Sequence, residues 1–385
     1  MTPSLSEAPS RHVRATDLRE GVLSRARSLH EANEPAAALR LARSVWDTPG
    51  DAATRVQAGW LVCVSSYRLG ELAEAIHAGE GALALLVPGS SQTLRFDILA
   101  LLVVAYGELA RHDDAIQALQ QLVRLRTRRG SLRDHTRARS SMAACFALMG
   151  DPWTAQHLLG QLADGLQALP RQGRLEAKAR INLAWIGLQA ARMARDAADP
   201  DLAGRMLASA RTSLARSEEI IAQHGHSRIA LFSQMHQCEY ELLNGQHAQA
   251  LERVAAALPK TRQAHLHAHT RRLQLIQAEL LLETGSARLA LDVLEPLLQQ
   301  LGPGHDLAAR LQAFDLAARA CAALGDTTRS LVCMERQRAL ELYRVTRQLQ
   351  AMSRHARTRL ELEHLSHAGP PAPLATASPP STLEH

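Results

Sequence analysis

The sequence predicts an all-α solenoid of repeated antiparallel helix pairs. Two observations carry this: a composition with little to build strands from, and a repeat that runs the length of the chain. Ala, Leu, Arg, Gln and Glu, all good helix formers, dominate, while aromatic residues make up 3% of 385 residues. A chain of that length ordinarily divides into several globular cores, unless it is a repeat protein that grows without a size limit.

The repeat is read from its turns. A turn residue is followed five positions later by a small residue that opens an apolar helix: GELAEAI at Gly70, GDPWTAQ at Gly150, GQHAQAL at Gly245, GSARLAL at Gly285 and GDTTRSL at Gly325. Weaker copies begin at Asn33, Ala110 and Ala198. The small residues form a column, Ala38, Ala75, Ala115, Ala155, Ala203, Ala250, Ala290 and Ser330, spaced 37, 40, 40, 48, 47, 40 and 40 apart. Twelve residues before each lies a second column of small or modest residues: Ala26, Cys63, Val103, Ala143, Ala191, Cys238, Ala278 and Ala318. Two helices joined by a tight turn approach closely only where their facing side chains are small. Four residues after the first column sit bulky groups, Leu119, Leu159, Leu207, Val254, Leu294 and Met334, expected on the buried face of the second helix. Pro49, Pro88 and Pro259 are expected to end helices.

On these residues the chain resembles the tetratricopeptide-repeat (TPR) family, whose unit is two helices with small residues at the crossing and a Gly-Asp-type turn, as at Gly150-Asp151 and Gly325-Asp326. The period exceeds the usual value of about 34, so helices or inter-repeat loops are lengthened, above all between Ala155 and Ala250. The resemblance implies a right-handed superhelix of about eight helix pairs with a ligand-binding concave side lined by the first helix of each pair. Counting from the second column, the groove candidates are Arg27, His30, Trp60, Tyr67, Trp185, Arg192, Arg195, Glu239, Glu279 and Arg319. Aromatics and arginines are the residues that most often anchor interfaces.

The division expected is a disordered N-terminus over 1–14, a repeat domain over 15–340, a C-terminal helix over 341–367 and a disordered tail over 368–385 rich in Pro, Ala and Ser. The C-terminal helix carries Leu342, Val345, Leu349, Met352 and Ala356 at alternating three-four spacing. It reads as a cap over the last repeat or as a short parallel coiled coil that makes a homodimer through Leu342, Val345, Leu349 and Met352, and one helix can do both. The segment from Tyr343 to Leu365, ending RTRLELEHL, resembles the signalling helix that joins helical repeats to a diguanylate cyclase or histidine kinase domain in bacterial sensors. No such output domain follows in the sequence given, so this resemblance implies either a truncated sensor or a stand-alone relative acting in trans.

Other classes are argued against. The N-terminus lacks a signal-peptide stretch and the apolar run from Ile98 to Tyr106 is too short to cross a bilayer, so a cytoplasmic protein is expected. Cys63, Cys145, Cys238, Cys321 and Cys333 are odd in number and form no CxxC pair. His265, His267 and His269 lack an acidic or Cys partner at ligand spacing, and His224 and His226 read as loop residues, so no metal and no cofactor is expected. GxGxxG, GxxxxGK[ST], GxSxG and HExxH motifs are missing, and no enzyme is expected. Net charge is +6, with Lys178 and Lys260 the only lysines. The densest basic cluster, Arg124, Arg126, Arg128, Arg129, Arg133, Arg137 and Arg139, reads as a helix end and solvated turn or as a docking patch for an anionic partner. Without a nucleic-acid-binding motif it does not make a nucleic-acid protein. The function expected is therefore a scaffold or regulatory adaptor that binds a partner protein or peptide in the groove, in bacterial signalling; the alternative is a ligand-sensing module of a cyclase or kinase system.

Overall fold

The computed structural model describes residues 8–87, 91–126, 131–169, 172–225 and 227–367. They form helices and connecting turns, with no strand among the described residues. The helices come in eight consecutive pairs. These are α1 (Ala8–Glu31) with α2 (Pro35–Trp46), α3 (Ala52–Leu69) with α4 (Leu72–Leu85), α5 (Gln92–Glu108) with α6 (His112–Arg126), and α7 (Leu132–Leu148) with α8 (Pro152–Gln167). There follow α9 (Gly173–Asp196) with α10 (Pro200–His224), α11 (Ser227–Leu243) with α12 (His247–Gln263), α13 (His267–Glu283) with α14 (Ala287–Gln300), and α15 (Leu307–Ala323) with α16 (Thr327–His367). The lengthened period in the middle is helix rather than loop: α9 and α10 have 24 and 25 residues, and pack along one another.

Every turn within a pair is made the same way. The left-handed conformation falls at Asn33, Gly70, Ala110, Gly150, Ala198, Gly245, Gly285 and Gly325, the eight turn residues of the sequence repeat. The next N–H then reaches back to a carbonyl five residues earlier, as in Glu71 N to Ser66 O (2.9 Å), Arg111 N to Tyr106 O (2.8 Å) and Gln246 N to Glu241 O (2.9 Å). This Schellman closure satisfies the last carbonyls of the first helix and reverses the chain at once. Side-chain caps start several helices, with Asp51 accepting from Thr54 N (2.8 Å), Asp151 from Thr154 N (3.0 Å) and Asp199 from Leu202 N (2.9 Å).

Both small columns are buried in full, none of the sixteen residues exposing more than 6%. In the last pair they touch: Ser330 Oγ donates to Ala318 O at 2.9 Å, joining a member of one column to its counterpart in the other. Of the bulky positions, Leu119, Leu159, Leu207, Val254 and Leu294 are buried, but Met334 is 52% exposed. The expectation fails there because α16 is the final helix and no further repeat covers its outer face.

Pro259 does not end a helix. It sits inside α12, which continues to Gln263, and Pro296 likewise sits inside α14. Each lies within the last turn or so of its helix, where one lost backbone bond is tolerable. Pro49 does follow the end of α2, while Pro88 and the tail over 368–385 lie outside the described residues. Helix α1 is already formed at Ala8, and position 341 falls inside the uninterrupted 41-residue helix α16.

The turn chemistry gives a direct test. A Cβ at Gly245 meets nothing within 4 Å, so Gly245→Ala probes backbone strain alone. It should lower the unfolding free energy by about 1 kcal/mol, read as a reduced urea midpoint at unchanged m, whereas Ala198→Gly, which relieves the same strain, should not lower it.

Candidate functional site

The first helix of each pair faces inward, and α3, α5, α7, α9, α11, α13 and α15 together enclose a cavity of about 670 Å³. The superhelix closes on itself around this lumen. At one seam the N–H groups of Leu72 and Ala73 donate to Gly304 O (2.9 and 3.3 Å), and Arg271 Nη2 donates to Leu69 O (3.1 Å). Beside them Asn33 Nδ2 donates to Ala264 O. Further round, Gln348 Nε2 of α16 donates to Met149 O (2.7 Å), and Ala351, 2% exposed, enters the core of the N-terminal half. Residues up to 232 positions apart in sequence thus meet.

One wall of the lumen is apolar, formed by Val64, Ala100, Leu101, Val104, Ala144, Leu148 and Trp185. The lining also includes Phe232, with His269 stacked on it (ring centroids 4.3 Å apart), and Arg272, which joins the lumen to a charged network behind it. In that network Arg192 donates from Nε to Glu239 (3.0 Å) and from both terminal nitrogens to Glu279 (3.1 and 3.2 Å). Arg272 bonds Glu239 as well and reaches Gln312 Oε1 at 2.5 Å, while Gln312 Nε2 returns a bond to Glu279 (2.8 Å). Glu239 is fully buried. Burial works to raise its carboxyl, yet Arg272, Arg192 and the nearby His236 hold it well below the ordinary range.

A second cluster sits at the seam. Glu108 accepts the Tyr67 hydroxyl proton at 3.0 Å and shares the lumen with Asp306, whose side chain caps α15 through Ala308 N (2.9 Å). Burial and then the charge of Asp306 push the Glu108 carboxyl up to about 8, against the Tyr67 bond and Arg271. Burial also raises Asp306, against its cap bond and Arg272 and Arg271. Neither carboxylate has an ion-pair partner within 4.0 Å among the described residues.

The groove candidates therefore fall into three groups. Tyr67 and Trp185 line the lumen. Arg192 binds both Glu239 and Glu279 behind the lining, connected to it through Arg272. The remainder lie elsewhere: Arg27 donates to Gln57 (3.1 Å), the His30 carbonyl accepts from Arg68 (2.6 Å), Trp60 packs half-buried on the core, Arg195 donates to Leu243 O, and Arg319 pairs with Glu283 (2.7 Å) at the surface. From the basic cluster, residues 127–130 lie outside the described residues, and Arg137 bonds Asp97 on the lumen wall. No group of His, Cys, Asp or Glu among the described residues could hold a metal.

Sequence reasoning missed Phe232, Arg272 and Gln312, and named Arg137 only as part of the basic cluster. All four lie six positions before the second small column, as does Trp185. The candidates Arg192, Glu239 and Glu279 lie one position after it. The two rows are seven residues apart, two helical turns, so they share a face.

No known family model and no curated protein matches this chain. Among solved structures, a Rap protein complexed with Competence and Sporulation Factor superposes with a TM-score of 0.55 at 12% identity, covering 86% of this chain and 99% of that one. The fold is that of a TPR-like helical-repeat solenoid. A TPR protein from Parabacteroides merdae matches over 81% of this chain and 98% of its own at 11% identity and a TM-score of 0.40, and yeast Tom70 over 91% and 97% at 11% and 0.27. In this TPR-like chain no described helix is long and apolar enough to cross a membrane.

The seam carboxyl gives a pH dependence. A carboxyl raised in the folded state penalises that state increasingly as pH climbs from its ordinary range to about 8. His267 and His305, lowered first by burial and then by Arg271, penalise it as pH falls below 6.5. Between about pH 6.5 and 8 the Glu108 term governs this cluster, so the wild type should lose thermal stability over that window relative to Glu108→Gln, measured as the difference in Tm against pH.

Proposed function

We propose that this chain is a regulatory adaptor without chemistry of its own, which takes a short peptide or an extended segment of a partner protein into the lumen of its solenoid. The observation that carries the reading is the cavity of about 670 Å³ in which Trp185 stands between Asn182 and Gln189. These two amides make no hydrogen bond to the protein among the described residues. The volume lies in the range typical of ligand sites, about 300–1,000 Å³. An extended backbone needs donors and acceptors beside apolar pockets, and free amides flanking an indole supply both. The Rap protein of similar fold is itself complexed with a factor, which supports this use of the architecture.

A second reading shares the site: a module that senses a peptide or small ligand and passes the change to a separate output protein. The thin seam favours it, because ligand contacts on both sides of the lumen would bias its opening. We place either activity in bacterial signalling in the cytoplasm, on the resemblance of residues 343–365 to the signalling helix of sensory proteins. The groove residues of this proposal are Tyr67, Trp185, Asn182 and Gln189, with the Arg192, Glu239 and Glu279 network behind the lining.

The test is capture of partners from a lysate by wild type and by an Asn182→Ala, Gln189→Ala, Trp185→Leu variant whose helical circular dichroism and Tm match. Loss of these three contacts should weaken binding of the captured peptide at least 30-fold, as expected for about 2 kcal/mol at a binding hot spot. Equal capture by both proteins would sink the lumen as the site.

A further inference from the structure

Helix α16 has two working faces. One runs through Ser330, Cys333, Gln337, Leu340, Gln348 and Ala351, and it first covers α15 and then docks on the α7–α8 turn. The other, rotated by roughly a third of a turn at 100° per residue, carries Met334, Leu342, Val345, Leu349 and Met352, with exposures of 52, 67, 38, 62 and 55%. The intramolecular packing of α16 leaves this stripe bare over several consecutive turns.

We infer that this stripe is a homodimer interface in which α16 pairs antiparallel with α16 of a second copy about a two-fold axis close to Val345. The spacing 342, 345, 349, 352 alternates three and four residues, which is the seam of two helices crossing at a shallow angle. Side chains of this size and exposure offer roughly 100 Å² each, so two copies bury roughly 1,000 Å² before flanking residues are added, the level a specific interface needs. The patch on one copy, roughly 500 Å², is at the size of the largest apolar patch on a typical monomer, which is often functional.

Direction follows from Arg338, the one charged residue within the stripe. A parallel pair sets Arg338 against Arg338 in the seam, which is repulsive. An antiparallel pair whose axis passes close to Val345, between it and the next residue, brings Leu342 beside Leu349 and Arg338 beside Met352, whose thioether and methylenes accept the arginine stem. A two-fold contact of this kind is closed and stops at the dimer. This inference is independent of what the lumen holds.

The experiment is sedimentation velocity on the full chain at micromolar concentration, with Leu342→Asp/Leu349→Asp as the variant. Both residues are exposed, so helical content and Tm should not change while a wild-type dimer becomes a monomer. A monomeric wild type, or a variant that remains dimeric, overturns the proposal. Cross-linking fixes direction: in a Cys333→Ser background, Val345→Cys should form a disulfide dimer, and Leu342→Cys should cross-link to Leu349→Cys when the two proteins are mixed. Ready cross-linking of Leu342→Cys to itself would show a parallel pair and overturn the antiparallel assignment.

Discussion

The close crossing within each helix pair is the constraint on which the rest of this molecule depends. Ala, Ser, Cys and Val in two buried columns let the two backbones approach, and a left-handed residue five positions before the crossing turns the chain back on itself. Because the same geometry is applied eight times, small rotations between neighbours add up to a superhelix. Between the two terminal pairs, only the fifth departs from the common length, and it does so by adding helix rather than loop. The lumen, its lining and its size are consequences of that repeated step.

Much of this was legible in the residues. Asn33, Ala110 and Ala198 belong to the repeat although none is glycine, and each holds the same left-handed turn as the glycines, at some strain for the two alanines. The helix-pair count and the buried columns follow from spacing alone, because they are local and periodic. The site was less legible. Arg192, Glu239 and Glu279 were visible as one row, each a single position after the second column, but their identities as groove candidates did not show that Arg192 pairs with both carboxylates across units 47 and 87 positions apart. Arg272 and Phe232 were missed because the row six positions before the second column was followed only at Trp185.

The seam was invisible for a different reason. Its acceptors are the main-chain carbonyls of Leu69, Met149, Ala264 and Gly304, which every residue possesses. Nothing in the identity of a residue announces such a contact. Its Glu108 ends α5 and Asp306 caps α15, and only the closure of the superhelix makes them neighbours.

An open helical solenoid can gain or lose a unit and remain the same kind of object. A closed one cannot. Here Asn33, Leu69, Leu72 and Met149 each meet a fixed counterpart on the far side of the circle. Inserting or deleting one helix pair would shift all of these registers together by a full unit. Substitution on the acceptor side, by contrast, leaves every carbonyl in place. The architecture is thus tolerant of divergence in sequence and intolerant of change in repeat number, so descendants of this chain are expected to drift widely in composition while keeping eight pairs.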